Sequence, residues 1–115
     1  MVMHELSIVL SIIEIVATEV KKSGAERVTE VHLEIGQLSG VEFESFEFAL
    51  KNLTPGSVIE SAEITIEKPA GTACCCDCGN EFAIENFIGS CNLCSSFNLE
   101  IIKGRELSVK SITID

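Results

Sequence analysis

The chain reads as an α+β protein: a small three-stranded sheet with two helices packed on one face, plus an inserted four-cysteine zinc-ribbon-like module. Three observations predict this. Apolar residues near the start recur at helical spacing, two later segments alternate at strand spacing, and two Cys-x-x-Cys pairs interrupt the chain before its last strand.

Between Glu5 and Lys22, Leu6, Val9, Leu10, Ile13, Val16 and Val20 recur every three or four residues. Ile8, Ile12 and Ile15 widen the stripe, so the first helix is expected to be covered on more than one face. Ser23-Gly24 supplies its stop, with Lys21 and Lys22 favourably placed in the last turn. Arg27 to Ile35 alternates: Val31, Leu33 and Ile35 point one way, and Glu30, His32 and Glu34 the other. A loop at Gly36 to Gly40 leads to a second helix from about Glu42 to Leu53, with Phe43, Phe46, Leu50 and Leu53 inward and Thr54-Pro55-Gly56 ending it. A strand at Ser61 to Lys68 places Ala62, Ile64 and Ile66 inward. Pro69-Ala70-Gly71 then forms a hinge into the cysteine-rich segment. The chain returns through Leu99 to Ile102, turns at Lys103-Gly104, and ends in a strand from Glu106 to Ile114. The apolar phase of that strand shifts between Val109 and Ile112, which predicts a bulge or an edge position. The expected division is residues 1–70 with 98–115 as one α/β domain and 71–97 as an inserted metal domain.

The 115 residues suit one modest domain or a small domain with a metal-stapled insertion. Eighteen acidic against eight basic side chains give a net charge of −10, which repels phosphate backbones and anionic membranes and favours cationic protein partners or metal ions. No Lys or Arg lies between Lys68 and Lys103, so the cysteine segment lacks the basic flanks of a nucleic-acid reader. The longest apolar stretch, Leu6 to Val16, is too short to span a bilayer and contains Glu14. Six cysteines without a basic leader at the start point to a reducing compartment, and the cytoplasm is the plain expectation.

Cys75 and Cys78 form one pair, Cys91 and Cys94 the other, twelve residues apart. Two such turns can bring four thiolates round one ion at tetrahedral angles, as a closed structural zinc site requires. Iron fits the same ligands chemically, and a rubredoxin-like electron carrier would be coloured. A thioredoxin-type pair would open a helix after a strand, whereas Cys78-Gly79-Asn80 reads as a turn. Cys74 and Cys76 are extra thiols. Cys74 to Cys78 is also an allowed ligand spacing, but the matched pairs favour Cys75. There is no nucleophile–base constellation and no phosphate-binding glycine loop, and the two histidines lie on different elements, so an enzyme is not expected.

Met3-His4-Glu5-Leu6-Ser7, Gly36-Gln37-Leu38-Ser39-Gly40-Val41-Glu42 and the paired cysteines, in this order, resemble the HypA/HybF hydrogenase nickel-incorporation proteins over essentially the whole chain. The resemblance implies an accessory protein for maturation of [NiFe]-hydrogenase, sometimes shared with urease. It implies delivery of Ni2+ together with a HypB-type GTPase to the hydrogenase large subunit, and a Zn2+ ion in the cysteine module. Carried over by position, His4 is the anchoring imidazole of a nickel site, Glu5 contributes its backbone nitrogen, and Glu42 supplies an oxygen or steers the ion. Ni(II) favours square-planar nitrogen ligation, which a histidine beside a free amine can provide. The family pattern starts at the methionine directly before the histidine, but here Met1-Val2 precede it. A start at Met3 restores the usual site. Loss of Met1 places His4 third from the amine, with its own four-nitrogen plane, and retention of Met1 weakens any chelate that includes the amine.

Without the resemblance, His4-Glu5 is an ordinary helix start, Glu42 a first-turn acid favoured by the helix dipole, and His32 a solvated strand residue. The rival function is a zinc-ribbon protein-interaction adaptor without nickel transfer. The edge strand and loose insertion admit a monomer or a homodimer.

Overall fold

The computed structural model describes residues 2–86 and 89–115, with side chains from His4 onward in the first turn. Met1, whose amine enters the nickel reading, therefore lies outside the described residues, as do Phe87 and Ile88. The elements run α1 (Val2–Ser23), β1 (Val28–Ile35), α2 (Phe43–Leu53), β2 (Glu63–Glu67), β3 (Gly71–Cys75), β4 (Glu81–Ile84), β5 (Leu99–Lys103) and β6 (Leu107–Ile114). They form two three-stranded sheets, ordered β2-β1-β6 and β4-β3-β5. The fold is thus α+β with a four-cysteine module, and that module carries a sheet of its own. β6 occupies the edge position that its broken apolar phase predicted.

The chain divides into two compact units. One comprises residues 1–33, 41–66 and 109–115, the other 34–40 and 67–108. In the first, α1 and α2 pack together, and Val9, Ile12, Val16, Val28, Val31, Leu33, Phe46 and Ala49 are buried, most of them completely. From Val31 onward β1 alternates, with Val31, Leu33 and Ile35 inside, so one face of that stretch is buried. Leu10 and Ile15 remain about half exposed. The wide stripe of α1 is therefore only partly covered: the helix buries the Val9–Ile12–Val16 line, half-buries Leu6, Ile8, Ile13 and Val20, and leaves Leu10 and Ile15 to solvent, which corrects the expectation at those two positions. Arg27 and Asp115 close the unit at the surface, with a 3.1 Å ion pair and with Asp115 N–H donating to the Arg27 carbonyl at 3.0 Å.

The second unit is built round β3, which pairs antiparallel with β4 on one side and β5 on the other. The 36–40 loop lies against it. Gly36 N–H donates to Glu106 O at 2.7 Å, Gln37 N–H to Pro69 O at 2.9 Å, and Leu38 N–H to Gly104 O at 2.6 Å. A Cβ at Gly36 would stand 2.0 Å from the Gly104 carbonyl oxygen, so backbone meets backbone here and only glycine fits. The glycine-rich motif singled out in the sequence is, in this loop, a packing device.

Candidate metal centre

Strand β3 decides which cysteines converge. Its side chains alternate, so Ala73 and Cys75 are buried, while Cys74 is half-buried on the opposite face. Cys76 is exposed. Cys75 is thus aimed at the cage and Cys74 away from it.

The two cysteine turns are built alike. In the first, Cys75 N–H donates to Asn80 O at 2.8 Å and Gly79 N–H to Cys75 O at 2.8 Å. In the second, Cys91 N–H donates to Ser96 O at 2.8 Å and Ser95 N–H to Cys91 O at 3.0 Å. The residue after each second cysteine has a positive φ, 78° at Gly79 and 64° at Ser95. Glycine takes that conformation freely; serine holds it at a cost of about 1 kcal/mol. Asp77 joins the two turns, accepting from the Ser96 hydroxyl and from the Asn98 side-chain amide. Asn80 does so from the other side, its Nδ2 donating to Asn92 Oδ1 at 2.6 Å.

The sulfur atoms of Cys75, Cys78, Cys91 and Cys94 all lie within 4.8 Å of one another. Cys75 to Cys94 is 3.5 Å and Cys78 to Cys91 is 3.6 Å. Disulfide bonding requires about 2.05 Å, so these are free thiols. A metal–sulfur bond of about 2.3 Å at tetrahedral angles sets the edge of a thiolate cage at about 3.8 Å, which this cluster approaches. Electrostatics lead to the same conclusion. The amides of Cys94 and Leu93 aim at the Cys91 sulfur and bring its pKa down to about 6. Cys75 is lowered as well, first by the Cys78 amide. At Cys78 the Asn80 amide favours the thiolate, yet the neighbouring Cys91, burial and the remaining thiols push the group up to about 12. Cys94 is raised too, the Ser96 amide being outweighed by Cys75 and burial. Four sulfurs this close cannot all ionise alone; a cation makes four thiolates compatible. Among the described residues this is the one group of three or more His, Cys, Asp or Glu side chains gathered tightly enough for an ion.

The N-terminal candidates are placed differently. His4 is exposed in the first turns of α1, and the following Glu5 is buried. Glu42 is the N-cap of α2, its Oε1 accepting from Glu44 N–H at 3.2 Å and its Oε2 from Ser45 N–H at 2.7 Å. The Ser45 hydroxyl and amide hold the Glu42 carboxyl below the ordinary value of 4.5. Glu5 and Glu42 do meet: Glu5 Oε2 accepts the Glu42 N–H at 3.1 Å. Sequence reasoning gave Glu5 only a backbone role and missed this contact. Its one signal was an acid in an otherwise apolar helical stripe. His32 is half-buried on β1, an element separate from His4.

A four-thiol cluster that could hold an ion, on a small α+β scaffold, points to a metal-binding protein. The sequence matches the family described as hydrogenase/urease nickel incorporation, metallochaperone, hypA, over residues 3–114. It is 40% identical to the hydrogenase maturation factor HypA of Chlorobaculum tepidum, over 98% of this chain and 100% of that one. It is 45% identical to that of Parabacteroides distasonis, over 97% of each. The solution structure of the Ni metallochaperone HypA from Helicobacter pylori superposes with a TM-score of 0.65 at 27% identity, covering 96% of both chains. A further HypA solution structure gives 0.70 at 29% identity, covering 97% of this chain and 96% of that one. The chain belongs to the HypA family of hydrogenase maturation factors, whose members are metallochaperones and not catalysts.

Proposed function

We propose that this protein binds Ni(II) in transit and hands it to the hydrogenase large subunit with a HypB-type GTPase, in the cytoplasm, with Zn2+ held permanently in the cage of Cys75, Cys78, Cys91 and Cys94. Service to a urease is part of the same proposal. The supporting observation is the family match over residues 3–114 in a chain whose His4 imidazole is exposed at the start of its first helix. A transient site needs open ligands, whereas four thiolates would fill every position of a tetrahedral ion and suit a resident one. His4 is the proposed anchor, with the Glu5 backbone nitrogen and the Glu42 carboxylate beside it. The α/β portion, 1–70 with 98–115, is the proposed cargo domain, and 71–97 the zinc domain.

Nickel titration of the native-start protein against His4→Ala, with zinc measured in both, tests this. The expected result is loss of nickel affinity with one zinc retained; equal nickel affinity in the variant removes the N-terminal site. A second reading, the protein-interaction adaptor, is favoured by one observation: Leu93 and Phe97, beside the second cysteine pair, are 75% and 80% exposed. Apolar tips on a rigid metal turn suit protein contact. Under that reading, Leu93→Ser/Phe97→Ser abolishes hydrogenase maturation and His4→Ala does not.

A further inference from the structure

Glu5 is 1% exposed, although it directly follows an exposed histidine near the start of α1. A carboxylate is rarely so buried without a strong partner. Here Oε2 accepts the main-chain N–H of Glu42 at 3.1 Å, across 37 residues of sequence.

That N–H has a particular standing. In a self-contained capping box, the N-cap N–H is satisfied by a side chain three residues further along the same helix. In α2 the residue at that place is Ser45, whose hydroxyl is turned to the Glu42 carboxylate instead. The N-cap N–H is served by Glu5 from the other helix. One unbroken path therefore runs from the Glu5 carboxylate, through the Glu42 main chain, to the Glu42 carboxylate and on to the amides of Glu44 and Ser45. The side chain immediately after His4 sets where α2 begins relative to α1.

We infer that the Glu5 carboxylate is a positioning residue of the nickel site, registering Glu42 against the first turns of α1 so that His4 and the Glu42 carboxylate serve one ion. This rests on the nickel reading above and adds a side-chain role to a residue assigned only a backbone nitrogen. The chemistry asks for an acceptor at that point, not for a charge.

The test is nickel affinity by chelator competition, with the visible spectrum of the bound ion and hydrogen exchange at the Glu42 amide as further readouts. Glu5→Ala is expected to weaken nickel about tenfold, the scale of one hydrogen bond to a charged group, with zinc content and helicity unchanged and faster exchange at Glu42. Glu5→Gln keeps a carbonyl acceptor and is expected to stay within about threefold of wild type. Wild-type affinity in Glu5→Ala overturns the inference, and so does Glu5→Gln being as weak as Glu5→Ala. Should Glu5→Ala fail to fold, Glu5→Asp keeps the charge but shortens the reach; it is expected to bind as weakly as predicted for Ala, and wild-type affinity there is equally fatal. His4→Ala separates the two failures. If it binds nickel like wild type, the nickel reading falls and carries the inference with it; if it is weak while every Glu5 variant is normal, only the positioning role falls.

Discussion

The two compact units of this protein are held together by different chemistry. In the first, Val9, Val16, Val28, Val31, Leu33, Phe46, Ala49 and Ile59 are all buried to within 1% of complete, an apolar core contributed by α1, β1, α2 and the turn before β2. Among the described residues of the second, the buried apolar side chains are Ile35, Leu38, Ala73, Cys75 and Cys91, and two of these five are thiols of the cage. The short strands β3, β4 and β5 and close glycine contacts supply its backbone hydrogen bonds and packing. The first unit is organised by exclusion of water; the second gathers four thiols that could hold an ion.

The contrast breaks most visibly at Cys91. Cys91→Ala is expected to release the cage metal and remove hydrogen-exchange protection from β3, β4 and β5, while α1, α2 and β1 keep theirs. Metal analysis with residue-level exchange reads both effects, and collapse of α1 and α2 in the same variant would end the two-chemistry picture. The converse substitution is Phe46→Ala in α2. Emptying a fully buried aromatic site is expected to cost about 4 kcal/mol in urea unfolding of the first unit, with metal content unchanged. Co-release of the ion would show that the units share one core.

The smallest effect concerns the paired carboxylates. Glu5 is lowered below 4.5 chiefly by the Glu42 amide, and Glu42 chiefly by Ser45. Groups with depressed folded-state pKa values contribute stability that is complete above the unfolded carboxylate value near 4.5 and lost as pH falls through the folded values. In nickel-free protein, the difference in urea midpoint between wild type and Glu42→Gln should therefore be largest at pH 7 and shrink towards pH 3. A constant difference across that range would mean that helix packing, not the charged cap, was lost.

Much of this was legible before any coordinates. The helical stripe of α1, the alternation of β1 and the core positions Phe46 and Leu50 of α2 are local patterns, set by side-chain period against a water-excluding face, and the structure places them where the patterns say. The matched cysteine pairs likewise announced the cage. The second sheet was not legible, because β3, β4 and β5 are four or five residues each and their pairing is a long-range choice. Nor was the exposure of Leu10 and Ile15, since periodicity identifies an apolar face without saying how much of it a neighbour will cover.

Sequence alone thus determined what is chemically and periodically encoded in a few consecutive residues: two helices, alternating strands, four thiols in matched turns and an acidic surface. Only the tertiary structure decided that Cys75 and not Cys74 faces the cage, that Gly36 must yield its side chain to the Gly104 backbone, and that the buried carboxylate of Glu5 caps a helix 37 residues away. The reason is the range of the forces involved. Propensity and side-chain period act between neighbours along the chain, whereas strand facing, backbone approach and hydrogen bonds between helices exist only once distant segments have met.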